Sequence, residues 1–257
     1  MLLTTFALSI AALAPLQDSA RVNVGAEYRR LAEEQDAAGL AKLWGAHPSR
    51  ILGTIDSDLE GSLSTWEASP DRPDMEKIKM LHTRALWGAK IASEVTGRPI
   101  FNDYASSFVG WTRVQKESFR SGQAAYGRAG KALKEGKAED ALRAARECRT
   151  RALPLGDWWG TAMGMSAEAR ALTMLDKHEE ALAQASQARL IYGQLGLTGN
   201  EYGNVKSMVA ALLKLERWPR ALVAVDDALA LAKRLGDREG EKSLSADREK
   251  ITKALAG

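Results

Sequence analysis

The sequence is poor in the residues on which disulfide-built or catalytic small proteins depend. A single cysteine, Cys148, stands among 257 residues, which excludes an internal disulfide framework. On a helix a lone cysteine is ordinarily a small buried apolar residue, and a reactive thiol only in special surroundings. Histidine is nearly as scarce: His47, His82 and His178 stand far apart. His178 has no second histidine four residues on, so the zinc-protease helix is absent. No Cys–His or Ser–His–Asp arrangement can be argued, and no catalytic, cofactor or metal-binding residue is assigned; the chain is not expected to be an enzyme. Charge of one sign is also lacking in excess. Thirty-six Lys+Arg against 33 Asp+Glu leave +3, too mild a balance to point to nucleic acid.

Long apolar runs are confined to the start of the chain. Residues 1–20, MLLTTFALSIAALAPLQDSA, hold one from Leu2 to Leu16. It is shorter than the ~20 residues a membrane span needs and matches the core of a secretory signal, about 7–15 residues. No Lys or Arg precedes it, and Pro15 follows the small-residue pattern Ala12-Leu13-Ala14. A cleaved signal is the leading reading and implies a periplasmic or secreted protein. A retained N-terminal anchor or a buried helix, in a cytoplasmic chain, stays open. No later segment predicts a membrane span.

What the sequence does have is self-similarity. Ala141-Leu142 recurs as Ala181-Leu182 and Ala221-Leu222, a spacing of 40. Leu155-Gly156 recurs as Leu195-Gly196 and Leu235-Gly236 without insertion or deletion. Each unit reads as two helices. The first, over ~122–135, ~161–175 and ~201–215, carries apolar columns Ala125/Met165/Val205, Ala129/Ala169/Val209 and Ala132/Leu172/Leu212, whose spacings of four and three trace one stripe. The second, over ~138–153, ~178–194 and ~218–234, carries small residues such as Ala145/Ala185/Val225 and Cys148/Ala188/Ala228, which allow close helix crossings. Gly156, Gly196 and Gly236 stand where a left-handed residue stops a helix.

The stretches EGKAEDALRAARE, LDKHEEALAQASQA and LERWPRALVAVDDA resemble the turn and second helix of tetratricopeptide repeats. LGD-x-x-G at 155–160 and LGDREGE at 235–241 resemble the longer variant spaced by 40. The common first-helix Gly is replaced by Ala129, Ala169 and Val209. The resemblance implies an all-α fold, a right-handed α-solenoid of stacked antiparallel helix pairs, with repeats at 121–160, 161–200 and 201–240. Residues 241–257, with Leu244, Ile251 and Leu255 among many charges, read as a polar capping helix for the open end.

Residues 21–120 are helical by period but outside the 40-residue frame, and read as degenerate repeats or a separate cap. Tyr28, Leu31, Leu40, Leu43 and Trp44 predict one helix; Ile51 to Trp66 predict a second. Asp74 reads as the N-cap of a third, ended by Gly97 and Pro99. Tyr104, Phe108 and Trp111 start another, which runs into the first repeat or breaks near Ser121-Gly122. Their aromatic stripe reads as core.

Two motifs in this sequence imitate ligand sites. Asp56-Ser57-Asp58-Leu59-Glu60-Gly61, with Glu67 closing the span, has the spacing of an EF-hand calcium loop. Against that, Ile55, Leu59 and Leu63 form a helical stripe that leaves Asp56 and Glu60 on a solvated face. A ligand- or calcium-responsive module in residues 21–120 is the alternative function. Gly130-Lys131 lacks the opening Gly and the Ser or Thr of a phosphate loop.

The resemblance further implies that the first helices line a concave groove for an extended peptide or a partner helix. One face of them carries Tyr126/Ser166/Lys206, Gly130/Arg170/Ala210 and Lys134/Met174/Lys214. Lys134, Arg170, Lys206 and Lys214 are cations without a carboxylate among them, and Met163 and Met174 adapt to apolar anchors. The expectation is a protein-interaction scaffold that holds an acidic peptide or protein there, with solvated surface charge as the plain counter-reading.

Overall fold

The computed structural model describes residues 23–256; the segment read as an export signal, 1–20, lies outside them. The described residues form helices and no strand. Five helices come first: α1 (Val24–Glu33), α2 (Ala37–Ala46), α3 (Ile51–Ala68), α4 (Met75–Thr96) and α5 (Ile100–Val109). Three pairs follow: α6 (Arg113–Lys134) with α7 (Ala138–Ala152), α8 (Trp158–Met174) with α9 (His178–Gln194), and α10 (Thr198–Lys214) with α11 (Trp218–Leu235). The last is α12 (Arg238–Ala256). From α6 to α12 each helix packs chiefly on its neighbours in sequence.

The turns explain this regularity. Within the three pairs the turn residues Gly136, Asp176 and Glu216 take φ of 74°, 56° and 52°. Each turn is closed by the same bond, from Lys137, Lys177 and Arg217 N–H to the carbonyls of Ala132, Leu172 and Leu212, all at 2.9 Å. That is the left-handed helix stop that satisfies orphan carbonyls. Between pairs Gly156, Gly196 and Gly236 do the same, at φ of 67°, 71° and 68°. In the first and last of these turns the following aspartate caps the next helix. Asp157 Oδ1 accepts from Gly160 N–H at 2.8 Å, and Asp237 Oδ1 from Gly240 N–H at 2.9 Å. The LGD-x-x-G motif is thus a helix stop and a helix start in six residues. Leu197 replaces the aspartate in the middle turn, and α10 begins without a side-chain cap.

The first 90 described residues depart from expectation in two places. The segment from Tyr28 to Trp44 is two helices, because Gln35 turns left-handed at φ 55° and Asp36 N–H bonds back to Leu31 at 2.9 Å. This is the same closure as in the three later pairs. Helix α6 does not break at Ser121-Gly122. The break comes earlier, at Gly110–Thr112, where Thr112 and Gln115 form a capping box. Asp74 caps α4 and Gly97 ends it at φ 65°, as expected.

The N-terminal helices share one core with the inter-pair turns. Trp44, Ile55, Phe101, Tyr104 and Phe108 are buried together with Phe119, Leu155 and Leu195. Trp111 Nε1 donates to the Leu155 carbonyl at 2.9 Å. The stack itself is held by small residues: Ala129, Ala141, Ala145, Ala171 and Ala181 form one buried cluster with Leu172. Gly164 brings α8 against α7 so closely that a Cβ there would lie 2.8 Å from the Arg149 backbone nitrogen.

Candidate functional site

Helices α6, α8 and α10, the first of each pair, line one groove of about 690 Å³. Tyr126 comes from α6, Ser166, Arg170 and Met174 from α8, and Lys206 from α10. Five of the eight residues singled out in the sequence therefore meet at one place. The other three do not. Lys134 and Lys214 are exposed in the last turns of α6 and α10, where a cation offsets the carbonyl end of the helix dipole. Met163 faces a second, smaller cavity, and Tyr126 borders both.

Among the described residues the groove has no carboxylate in its lining. Among the described residues none of Lys134, Arg170, Lys206 and Lys214 makes an ion pair. Arg170 is exposed, and Lys206 Nζ stands 4.4 Å from the centre of the Tyr202 ring, which orients it without neutralising it. Arg149 and Arg146, by contrast, are tied to the buried Glu168 at 2.5 and 3.5 Å. Charge on α8 is therefore divided, with a neutralised carboxylate on the α7 side and a free guanidinium on the groove side.

The groove also contains residues that the column analysis missed. Asn200 and Asn204 line it beside Tyr192. Asn204 is buried, and its Nδ2 donates to the Asn200 carbonyl at 2.9 Å while its Oδ1 meets no donor. Asn204 falls in the column of Ala124 and Gly164, neither polar, so the repeat pattern does not flag it.

The second cavity, about 170 Å³, lies where the N-terminal helices meet α6, α7 and α8. Phe119, Tyr126, Trp159 and Met163 supply apolar walls; Asp56, Glu60 and Asp157 supply carboxyls; and Cys148 faces it. Tyr104 donates to Asp56 Oδ1 at 2.6 Å. Glu60 accepts from Arg120 at 2.7 Å and from Gln123 at 2.8 Å. Burial pushes the Asp56 carboxyl up to about 6 and Asp157 up to about 7, against the Tyr104 and Gly160 hydrogen bonds that favour their ionised forms. Burial likewise pushes the Cys148 thiol up to about 12, so this cysteine is a packed residue rather than an activated one.

This geometry corrects the reading of Asp56–Glu67. The segment lies inside α3, with no loop to wrap a cation. Asp58 is buried and takes both Arg84 nitrogens, at 2.8 and 2.5 Å. Glu67 takes Arg120 at 2.7 Å. Asp56 and Glu60 are half-buried, because α5, α6 and the start of α8 fold over part of the face that the period leaves to solvent. No helix among the described residues is long and apolar enough to cross a membrane. Neither a scan against protein-family models nor a search among curated proteins finds a match for this chain.

Proposed function

We propose that the chain is an interaction scaffold of the tetratricopeptide type, a right-handed solenoid of antiparallel helix pairs that binds an acidic peptide or protein segment in the groove of α6, α8 and α10. The three left-handed turns at positions 136, 176 and 216 support the repeat reading, as do those at 156, 196 and 236. One observation carries the binding reading: the groove draws residues from the first helix of all three pairs, and its lining includes Arg170 and Lys206 but no acid. Unpaired cations beside apolar Met174 and Tyr126 favour carboxylates flanked by apolar side chains. If residues 1–20 are a cleaved signal, the partner is met outside the cytoplasm.

The test is titration of the full chain with fluorescent peptides of equal length, one set Glu- and Asp-rich with single Leu or Phe anchors, one set Lys-rich. Acidic peptides should bind at low salt and weaken as salt rises. Arg170→Glu with Lys206→Glu should reduce their affinity at least tenfold and leave the helical circular-dichroism signal unchanged. Equal binding of acidic and basic sets, or an unaffected double variant, removes the groove assignment.

A further inference from the structure

The smaller cavity between the N-terminal helices and the first repeat has no place in groove binding, and its chemistry is opposite in sign. Asp56, Glu60 and Asp157 line it, and among the described residues no Lys or Arg side chain does. Glu60 is satisfied by Arg120 and Gln123. The other two acids are satisfied only in part. Asp157 is 5% exposed; its Oδ1 caps α8, and its Oδ2 accepts nothing from the described residues. Asp56 gives Oδ1 to Tyr104 and likewise leaves Oδ2 unbonded. Both Oδ2 atoms thus border the cavity without a side-chain or backbone donor from the described residues, and in the ionised state a guest that brings a donor or a positive charge would serve them.

Around them the walls are aromatic: Phe119, Tyr126 and Trp159. Ring faces attract cations and accept apolar groups alike. The size also constrains the occupant. At about 170 Å³ the space slightly exceeds that of an engineered cavity of ~150 Å³ that takes benzene. An anion would meet three acids, and a neutral guest would leave the carboxyls without counter-charge. A group with N–H donors and positive charge on a small apolar body meets every requirement.

We propose that this cavity binds a small primary amine in its ammonium form, with Asp157 and Asp56 facing the ammonium and Trp159, Tyr126 and Phe119 enclosing its apolar body. The raised carboxyls accord with this: burial first, and then the neighbouring carboxylates, hold both acids up, and an ammonium between them would act against both causes. Tyr126 borders both this cavity and the groove, whereas Asp56 and Asp157 border the cavity alone, so variants at those two test this site apart from groove binding.

The probe series is benzylamine, benzyl alcohol and benzoate, titrated calorimetrically into the full chain at pH 8. Benzylamine should bind one per chain, benzyl alcohol at least tenfold more weakly, and benzoate not at all. Asp157→Asn keeps a good N-cap residue, and Asp56→Asn keeps a carbonyl for Tyr104; each should weaken benzylamine at least tenfold. The proposal is overturned by alcohol binding as tightly as amine, by no saturable uptake at ~10 mM, or by both variants binding as the parent does. Preferential uptake of Nα-acetyl-lysine methylamide, a mimic of a partner's lysine, would overturn the assignment to a free amine.

Discussion

A single glycine decides how closely two helices approach. Inside an exposed helix, Gly→Ala gains up to about 1 kcal/mol, and Gly127 of α6, with nothing within 4 Å of an added Cβ, should follow that rule. Gly164 should not, because its Cβ would stand 2.8 Å from the backbone nitrogen of Arg149. Gly127→Ala is expected to raise the melting temperature, and Gly164→Ala to lower it by several degrees. Thermal unfolding of the two variants side by side checks the sign of each. Asp157 gives a second prediction. Its folded value, about 7, lies above the ordinary 3.8, so ionising it disfavours the folded state. That penalty is absent below pH 4, grows between pH 4 and 7, and is complete above pH 7. Asp157→Asn removes it, and should therefore gain stability over the parent as pH rises through this window. At ~1.4 kcal/mol per pKa unit the gain reaches up to about 4 kcal/mol. Denaturant titrations of both proteins at pH 4 and pH 7.5 measure it.

At the scale of the helix, α7 and α8 are joined by a charge as well as by small residues. Glu168, 2% exposed, is held by Arg149 and Arg146. Losing one arginine leaves the other. Losing both strands a buried carboxylate, which costs about 3–5 kcal/mol. Arg146→Met with Arg149→Met should therefore destabilise by more than the sum of the single variants. Adding Glu168→Leu should restore much of the loss. Urea unfolding of the parent, the two single variants, the double and the triple separates these terms. Element boundaries were readable where the chain supplies strong punctuation: Asp74 and Gly97 bracket α4, and the 40-residue glycines end α7, α9 and α11 within a residue or a short turn. The break at Gln35 was not readable, and at Asp176 and Glu216 the repeat gave the boundary but not the left-handed backbone. These side chains do not announce a left-handed turn, and only the backbone bond to Leu31, Leu172 or Leu212 imposes it.

At the scale of the molecule, α12 closes the stack. Its Leu244 and Ile251 are buried in one cluster with Val225, Leu231 and Ala232 of α11. Deleting residues 238–257 should uncover that face, lower the unfolding midpoint and produce binding of a hydrophobic dye to the folded chain. In a stack of nearest-neighbour interfaces the last pair should fray first; faster amide exchange in α10 and α11 than in α6 to α8 would show it. The helix-pair arrangement was largely readable in advance because it is local. Periods of three, four and forty residues state which side chains turn inward and which element follows which. The cationic face of α8 and α10 belongs to the same class, since residues four apart on a helix are neighbours whatever surrounds them. The acidic cavity does not. Asp56 sits on what the period alone calls a water-facing side, and becomes half-buried only because Tyr104, Phe119 and Asp157, 48 to 101 residues further on, close partly over it. Burial of a polar residue by distant segments leaves no periodic trace, so its raised carboxyl and its neighbours emerge only once the helices are packed.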